Sequence, residues 1–161
     1  MEPEELARQL DRLRAGIARA GIKLTHQRLE IFREVAGSGE HPDAETIYRG
    51  VRERVPSVSL DTVYRTLWLL LDLGLITTLG ARDRVRFDGN MKPHHHFVCS
   101  KCGLTRDFYS DEFDHLQIPE AVHSFGSVQK AQVEVKGVCN RCSQDKEALR
   151  EDGISTQEAL P

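Results

Sequence analysis

The chain has 161 residues, 39% of them hydrophobic and 29% charged, with a formal net charge of −3. That composition suits a globular protein of one domain, or of two small ones sharing a modest core, and no apolar run approaches the length needed to span a bilayer. Segment 143–161 holds five acids and two bases and so carries the whole net charge, leaving a neutral body in which the placement of charge matters more than its sum.

Residues 3–20 place Leu6, Leu10, Leu13 and Ile17 at steps of four, three and four, which predicts an amphipathic helix stopped at Gly21. Thr25 can cap a second helix with Leu29, Ile31 and Phe32 inward. GSGEHPD reads as a loop, and Asp43 at its end can cap a third helix bearing Ile47, Tyr48 and Val51, closed by Pro56. Ser59 reads as the N-cap of a fourth helix, LDTVYRTLWLLLDLG, ending near Gly74. Its apolar set is Leu60, Val63, Tyr64, Leu67, Leu70 and Leu71; Asp61, Thr62, Arg65 and Trp68 take the other face. LITTLGARDRVRFDG predicts two short strands around a Gly-Ala-Arg-Asp turn. By the period of two, Arg82, Arg84 and Arg86 share one face of the second strand, Val85 and Phe87 the other.

Three helices, then a helix and a β-hairpin, is the order of a winged helix-turn-helix. The expected boundaries are a DNA-binding domain over 1–87, a hinge over 88–93, a second domain over 94–144 and a polar tail over 145–161. The second domain reads as strands HHHFVC and LTRDFY, a short helix near 111–123, and a last strand within SVQKAQVEVKGVC. There Val128, Ala131, Val133 and Val135 alternate imperfectly, so a bulge or a shifted start is expected.

All four cysteines lie in two Cys-x-x-Cys pairs, Cys99/Cys102 and Cys139/Cys142. The N-terminal stretch MEPEELARQL lacks the basic start and apolar core of a secretory signal, so the cytoplasm is the expected location. In a reducing compartment such pairs read as metal ligands before disulfides; redox thiols are the alternative. Two knuckles supply four thiolates, the preference of structural zinc, with no position left for a catalytic water. The 36 residues between Cys102 and Cys139 mean that such a site would clasp the two ends of a small β-domain.

Just before the first knuckle stands HHH. In a strand His94 and His96 point to one side and His95 to the other, so the triplet is not one three-histidine site. His94 and His96 can chelate one ion, with Asp88 upstream and Asp107 in the next strand as carboxylate partners. A nitrogen and oxygen set suits iron(II) or manganese(II) better than copper(I). A solvated linker is the plainer reading of the run. On the DNA side, the Thr62, Arg65 and Trp68 face of the fourth helix could enter a major groove, and the arginine row could meet phosphates or a minor groove. For that row an ordinary solvated face is an equal reading, and Tyr64 and Trp68 fit a core as well.

In combination, LTHQRLEIF (24–32), HPDAETIY (41–48), SLDTVYRTL (59–67), LGLI (73–76), VRFD (85–88), HHHFVCSKCG (94–103) and GVCNRC (137–142) resemble the ferric uptake regulator superfamily of bacterial metal-dependent repressors. The resemblance implies an α+β protein: an N-terminal winged-helix DNA-binding domain and a small α/β dimerisation domain with a four-cysteine zinc site, working as a homodimer on double-stranded operator DNA. It implies structural zinc on Cys99, Cys102, Cys139 and Cys142. It also implies a regulatory iron(II) or manganese(II) on His41, Asp88, His94, His96 and Asp107, with His95 in neither site. Ser59, Thr62, Tyr64, Arg65, Arg82 and Arg84 are the residues expected on DNA.

Aspartate at 107, where iron-sensing members usually have glutamate, resembles the peroxide-sensing PerR branch. In that branch peroxide reacts at bound iron(II) and a ligand histidine is oxidised, here His41 and His94, releasing metal and then DNA. The alternative within the family is an iron-responsive repressor of iron uptake. Pro93, His95 and Ala131 stand where a further metal site of iron-sensing members has ligands. Outside the family, a non-haem metalloenzyme lacks a Glu at cupin spacing after His96, an HExxH and a His-x-Glu. A metal-buffering protein would leave the helix-turn-helix order without a use. The reading is therefore a regulator, not an enzyme.

Overall fold

The structure, a computed structural model, describes residues 3–80 and 85–144. The chain divides into two compact units, Met1–Lys92 and Pro93–Pro161.

The first unit is built from α1 (Pro3–Arg19), α2 (His26–Gly37), α3 (Ala44–Arg54), α4 (Leu60–Asp72) and a hairpin of β1 (Thr77–Leu79) and β2 (Arg86–Asp88). Three helices start where the sequence offers a side-chain acceptor for an orphan amide. Thr25 accepts from the Arg28 N–H at 3.3 Å, Asp43 from Thr46 at 2.8 Å and Ser59 from Thr62 at 3.1 Å. The apolar stripes converge on one core: Leu13 and Ile17 of α1, Ile31 and Phe32 of α2, Ile47 and Val51 of α3, and Val63, Leu67 and Leu70 of α4. The hairpin closes that core with Phe87, in the register Thr77↔Asp88, Thr78↔Phe87, Leu79↔Arg86. Gly89 follows where only glycine fits, because a Cβ there would stand 2.8 Å from the Ala36 Cα.

Tyr64 departs from the expected apolar set. It is 42% exposed, while Thr66, a residue outside that set, is buried. A helix turns 3.6 residues per cycle, and the buried stripe centres on Val63, Thr66, Leu67 and Leu70, so Tyr64 falls on its rim. Arg86 leaves the solvated row too: its Nη1 donates to the His41 carbonyl at 3.1 Å. Arg82 and Arg84, like the tail over 145–161, lie outside the described residues.

Glu30 is buried and accepts from Arg33 at 2.6 Å and Arg54 at 2.8 Å. Burial pushes its carboxyl up, but the two guanidiniums outweigh burial and leave it below the usual carboxylate range. A group held low in the folded state adds stability above its ordinary pKa and loses it as pH falls toward the lowered value. Glu30→Gln should therefore cost about 2 kcal/mol at neutral pH. The gap in melting temperature to the wild type should narrow as pH falls below about 4.5. A gap that widens on acidification would contradict the assignment.

The second unit is a three-stranded sheet in the order β4-β3-β5, with β3 (His95–Cys99), β4 (Thr105–Phe108) and β5 (Glu134–Gly137). β3 and β4 are antiparallel with His96 opposite Asp107; β3 and β5 are parallel with Cys99 opposite Gly137. The expected single helix near 111–123 is instead two four-residue turns, α5 (Asp111–Asp114) and α6 (Glu120–His123). Ile118–Pro119 explains the break, since the residue before a proline is driven out of helical conformation. The last strand takes the shifted start: residues 127–133 carry no strand, and pairing begins at Glu134. The buried apolar cluster of this unit is small, namely Cys99, Cys139 and Cys142 with Phe97, Cys102 and Leu104 packed against them.

Candidate metal centres

The first knuckle sits on the β3–β4 turn. Gly103 takes φ +70°, which a side chain would resist, and this lets its N–H reach the Cys99 carbonyl at 2.9 Å while the Cys99 N–H reaches the Leu104 carbonyl at 2.8 Å. The second knuckle follows β5, where Ser143 N–H donates to the Cys139 carbonyl at 2.9 Å. Because β5 runs beside β3, the knuckles face each other, tied by Ser100 N–H to the Gly137 carbonyl at 2.8 Å. The four Sγ atoms all lie within 4.8 Å of one another, with Cys102 and Cys139 at 3.7 Å.

The electrostatics of this cluster call for a cation. The backbone N–H groups of Cys102 and Cys139 lower the Cys99 thiol to about 6. Against it, Cys142 is pushed up to about 12, chiefly by the Cys102 and Cys139 side chains. Four thiolates cannot crowd together without a positive ion, and four sulfurs at this spacing fit zinc.

The second group lies on the other part of the same strand. His94 and His96 are buried, and their Nε2 atoms meet at 2.9 Å. Asp107 Oδ1 stands 3.5 Å from the His96 Nε2 and 3.9 Å from that of His94. Two nitrogens each about 2.1 Å from one ion and at right angles stand about 3 Å apart. The pair thus fits an ion with more than four ligands, and the carboxylate adds a hard oxygen donor. Gln132 was not foreseen: its Nε2 donates to the His94 carbonyl at 2.9 Å and lies 3.1 Å from the His96 Nδ1. No periodicity marks it, because it precedes β5.

His95 points the opposite way, as the strand period requires. It packs between Phe108 and Phe113, its Nδ1 accepts the Val133 N–H at 3.2 Å, and its Nε2 lies 3.2 Å from Asp114 Oδ1. In the first unit, His41 and Asp88 stand together: His41 Nε2 is 3.8 Å from Asp88 Oδ1, and both are buried. Asp88 is oriented by the Asn90 N–H at 2.7 Å and the Thr77 hydroxyl at 3.4 Å. His41 has φ +50°, the one positive-φ non-glycine among the described residues. Histidine visits that region more readily than most residues, and such backbone persists where surrounding contacts enforce it.

Of the expected DNA residues, Ser59 is the cap of α4, Thr62 is half-buried, and Tyr64 and Arg65 are exposed. Arg65 Nε is paired with Asp61 at 2.9 Å.

A profile described as the ferric uptake regulator family matches residues 19–136. The chain belongs to the ferric uptake regulator family. Among curated relatives in that family, it is 33% identical to the peroxide-responsive repressor PerR of Staphylococcus epidermidis, over 89% of this chain and 97% of that one. Among solved family structures, the Helicobacter pylori ferric uptake regulator Fur, described as having three functional metal binding sites, is 27% identical with a TM-score of 0.70, covering 86% of this chain and 93% of that one. A zinc-bound manganese uptake regulator is 32% identical with a TM-score of 0.61, covering 79% and 98%. The family fold accounts for the winged helix order and the small sheet domain with its cysteine cluster. Among the described residues no helix is long and apolar enough to cross a membrane.

Proposed function

We propose that this protein is a metal-dependent transcriptional repressor of the PerR type, a regulator and not an enzyme, acting in the cytoplasm as a homodimer on double-stranded operator DNA. The observation that carries the reading is the converging pair of buried imidazoles, His94 and His96 at 2.9 Å, backed by Asp107 and separate from the four cysteines. One part of the sheet thus offers a closed four-sulfur set and another an open nitrogen and oxygen set, the donor chemistry of structural zinc beside regulatory iron(II) or manganese(II).

In this reading Cys99, Cys102, Cys139 and Cys142 hold zinc. As the family resemblance implies, His41, Asp88, His94, His96 and Asp107 would hold the regulatory ion. Exposed apolar residues of the second unit, Val135 and Val138 among them, support its use in dimerisation. The ion acts on DNA binding only through its preference for the DNA-binding pose. Ferrous iron, when bound, supplies the reducing power that turns hydrogen peroxide into an oxidant of an adjacent imidazole. In this reading His41 and His94 would receive that oxygen, and a ligand so altered would no longer hold the ion.

The test compares two loadings. Protein charged anaerobically with iron(II) or manganese(II) is exposed to low peroxide, and DNA binding is followed together with the masses of the His41 and His94 peptides. Only the iron form should lose DNA and gain oxygen on histidine. Retention of DNA by both forms, unmodified, with affinity following free iron, would replace this reading with an iron-responsive repressor. The 33% identity to a peroxide-responsive repressor favours the first outcome.

A further inference from the structure

Glu5, Gln9 and Arg12 stand at steps of four and three, so they share one face of α1, beside the apolar stripe that enters the core. That face meets residues 89–92, the segment by which the chain leaves the first unit. At the near end Gly89 backs onto α2, and its carbonyl accepts from the buried Gln9 Nε2 at 3.3 Å. At the far end Lys92 Nζ stands 2.6 Å from Glu5 Oε2. Glu5 also pairs with Arg8 at 2.7 Å, but Lys92 is the larger cause that lowers its carboxyl to about 2. Between these two anchors the backing is thin. Met91 lines a cavity of about 90 Å³ together with Gln9, Phe32 and Leu75. Atoms across a void lose their dispersion contacts, so polar contacts rather than packing hold the segment here.

We infer that α1 is a strap on this segment, and that Glu5 and Gln9, by holding residues 89–92 to the first unit, raise both the affinity for the regulatory metal ion and the response of DNA binding to it. The inference rests on the repressor reading. Asp88 closes β2 and His94 is the first donor of the second unit, with five residues between them. A hinge is a few residues that absorb a change of backbone angles, and this one can absorb it only where α1 lets go. The apparent affinity of a site falls with the fraction of molecules whose donors are in place. Held at both ends, the segment leads into His94 in few ways; released, in many, and the ion must then order it first. The same slack lets the ion bind without fixing the DNA-binding pose, so less of its preference reaches DNA.

The test has two arms on the full, zinc-loaded chain. The first, without manganese(II) or DNA, follows hydrogen exchange at Asn90 and Lys92, whose N–H groups bond the Asp88 and Asn90 side chains at 2.7 and 3.2 Å. Both amides should exchange faster in Glu5→Gln and in Gln9→Leu, while zinc content and the protection of α2, α3 and α4 stay as in the wild type. Gln9→Leu keeps an apolar side chain of similar size on the cavity, so it removes the hold without emptying the site. The second arm titrates manganese(II) and measures retention of a duplex that the wild type selects from a random-sequence pool. Each single variant should bind manganese(II) about threefold more weakly and the double variant about tenfold. The gain in DNA affinity on adding manganese(II) should shrink in the same order. Arg8→Gln, which spares both anchors, should match the wild type in both arms. Wild-type exchange in both single variants would overturn the strap. Faster exchange with an unchanged manganese(II) response, or an Arg8→Gln variant that reproduces the losses, would overturn the inference while leaving the repressor reading intact. A wild type that retains no duplex with manganese(II) would overturn the repressor reading and the metal response together, the exchange arm alone then deciding the strap.

Discussion

Cys139→Ser should leave the protein with almost no zinc per chain and should unfold the second unit while the first stays folded. The expected size follows from the composition of the core. In the second unit the buried apolar cluster consists of three of the four cysteines, joined by Phe97, Leu104 and the fourth. Remove the ion and the core is a set of thiols, one pushed up to about 12 and another held at about 6. Structural zinc on such a set contributes roughly 10–16 kcal/mol in small metal-folded domains, more than a sheet of three strands of four or five residues can lose. The loss is also topological. β5 is held parallel to β3, and the two knuckles clasp the ends of that pairing. Hydrogen exchange reads the outcome directly: protection should vanish over 95–108 and 134–137 and persist over α2, α3 and α4. A zinc-free variant with full protection in β3 would show that the sheet stands without the metal and that the thiols have another use.

How much of this was legible in the sequence depends on how local the signal is. Thr25, Asp43 and Ser59 announce their helices because a cap acts within three residues, and each caps as expected. The opposite orientation of His95 and its two neighbours is likewise a local fact, since a strand alternates whatever its partners are. Asp107 was legible through one further step, the hairpin that puts it opposite His96. Features set by distant contacts were not. Gln132 touches His94 and His96 from 36 or more residues away and lies in a stretch with no regular structure. Glu30 looks like a solvent-facing helix residue until Arg54, 24 residues on, reaches back to it. Tyr64 was misplaced for a different reason: an aromatic was counted as apolar at the rim of a stripe where a buried threonine completes the core. Trp68, by contrast, is exposed on the face opposite the apolar set, where the helical period puts it.

His96→Ala should abolish the manganese(II) dependence of DNA binding while leaving zinc and fold in place; His95→Ala should do the reverse. The two residues are neighbours in sequence and equally buried, so burial alone predicts the same cost for each. Their surroundings separate them. The Nε2 of His96 faces His94 at 2.9 Å and Asp107 at 3.5 Å, so three possible ligand atoms gather at one point. Such a set offers a cation two nitrogens and an oxygen. Removing one member should weaken manganese(II) binding by at least the order of 100-fold seen when a site's supporting groups are lost. None of the four cysteines is touched, so the zinc content of the variant should hold. His95, by contrast, is enclosed by Phe108 and Phe113 and accepts the Val133 N–H. Truncating it opens a cavity and orphans an amide, at about 3 kcal/mol, with no ligand lost. Metal titrations followed by duplex binding, run beside thermal melts, give four numbers for the two variants. The linkage between metal and DNA caps the DNA effect of His96→Ala at the coupling itself, about 5- to 150-fold. If both variants lose stability alike and both keep the manganese response, the open donor set on this face is not the regulatory site.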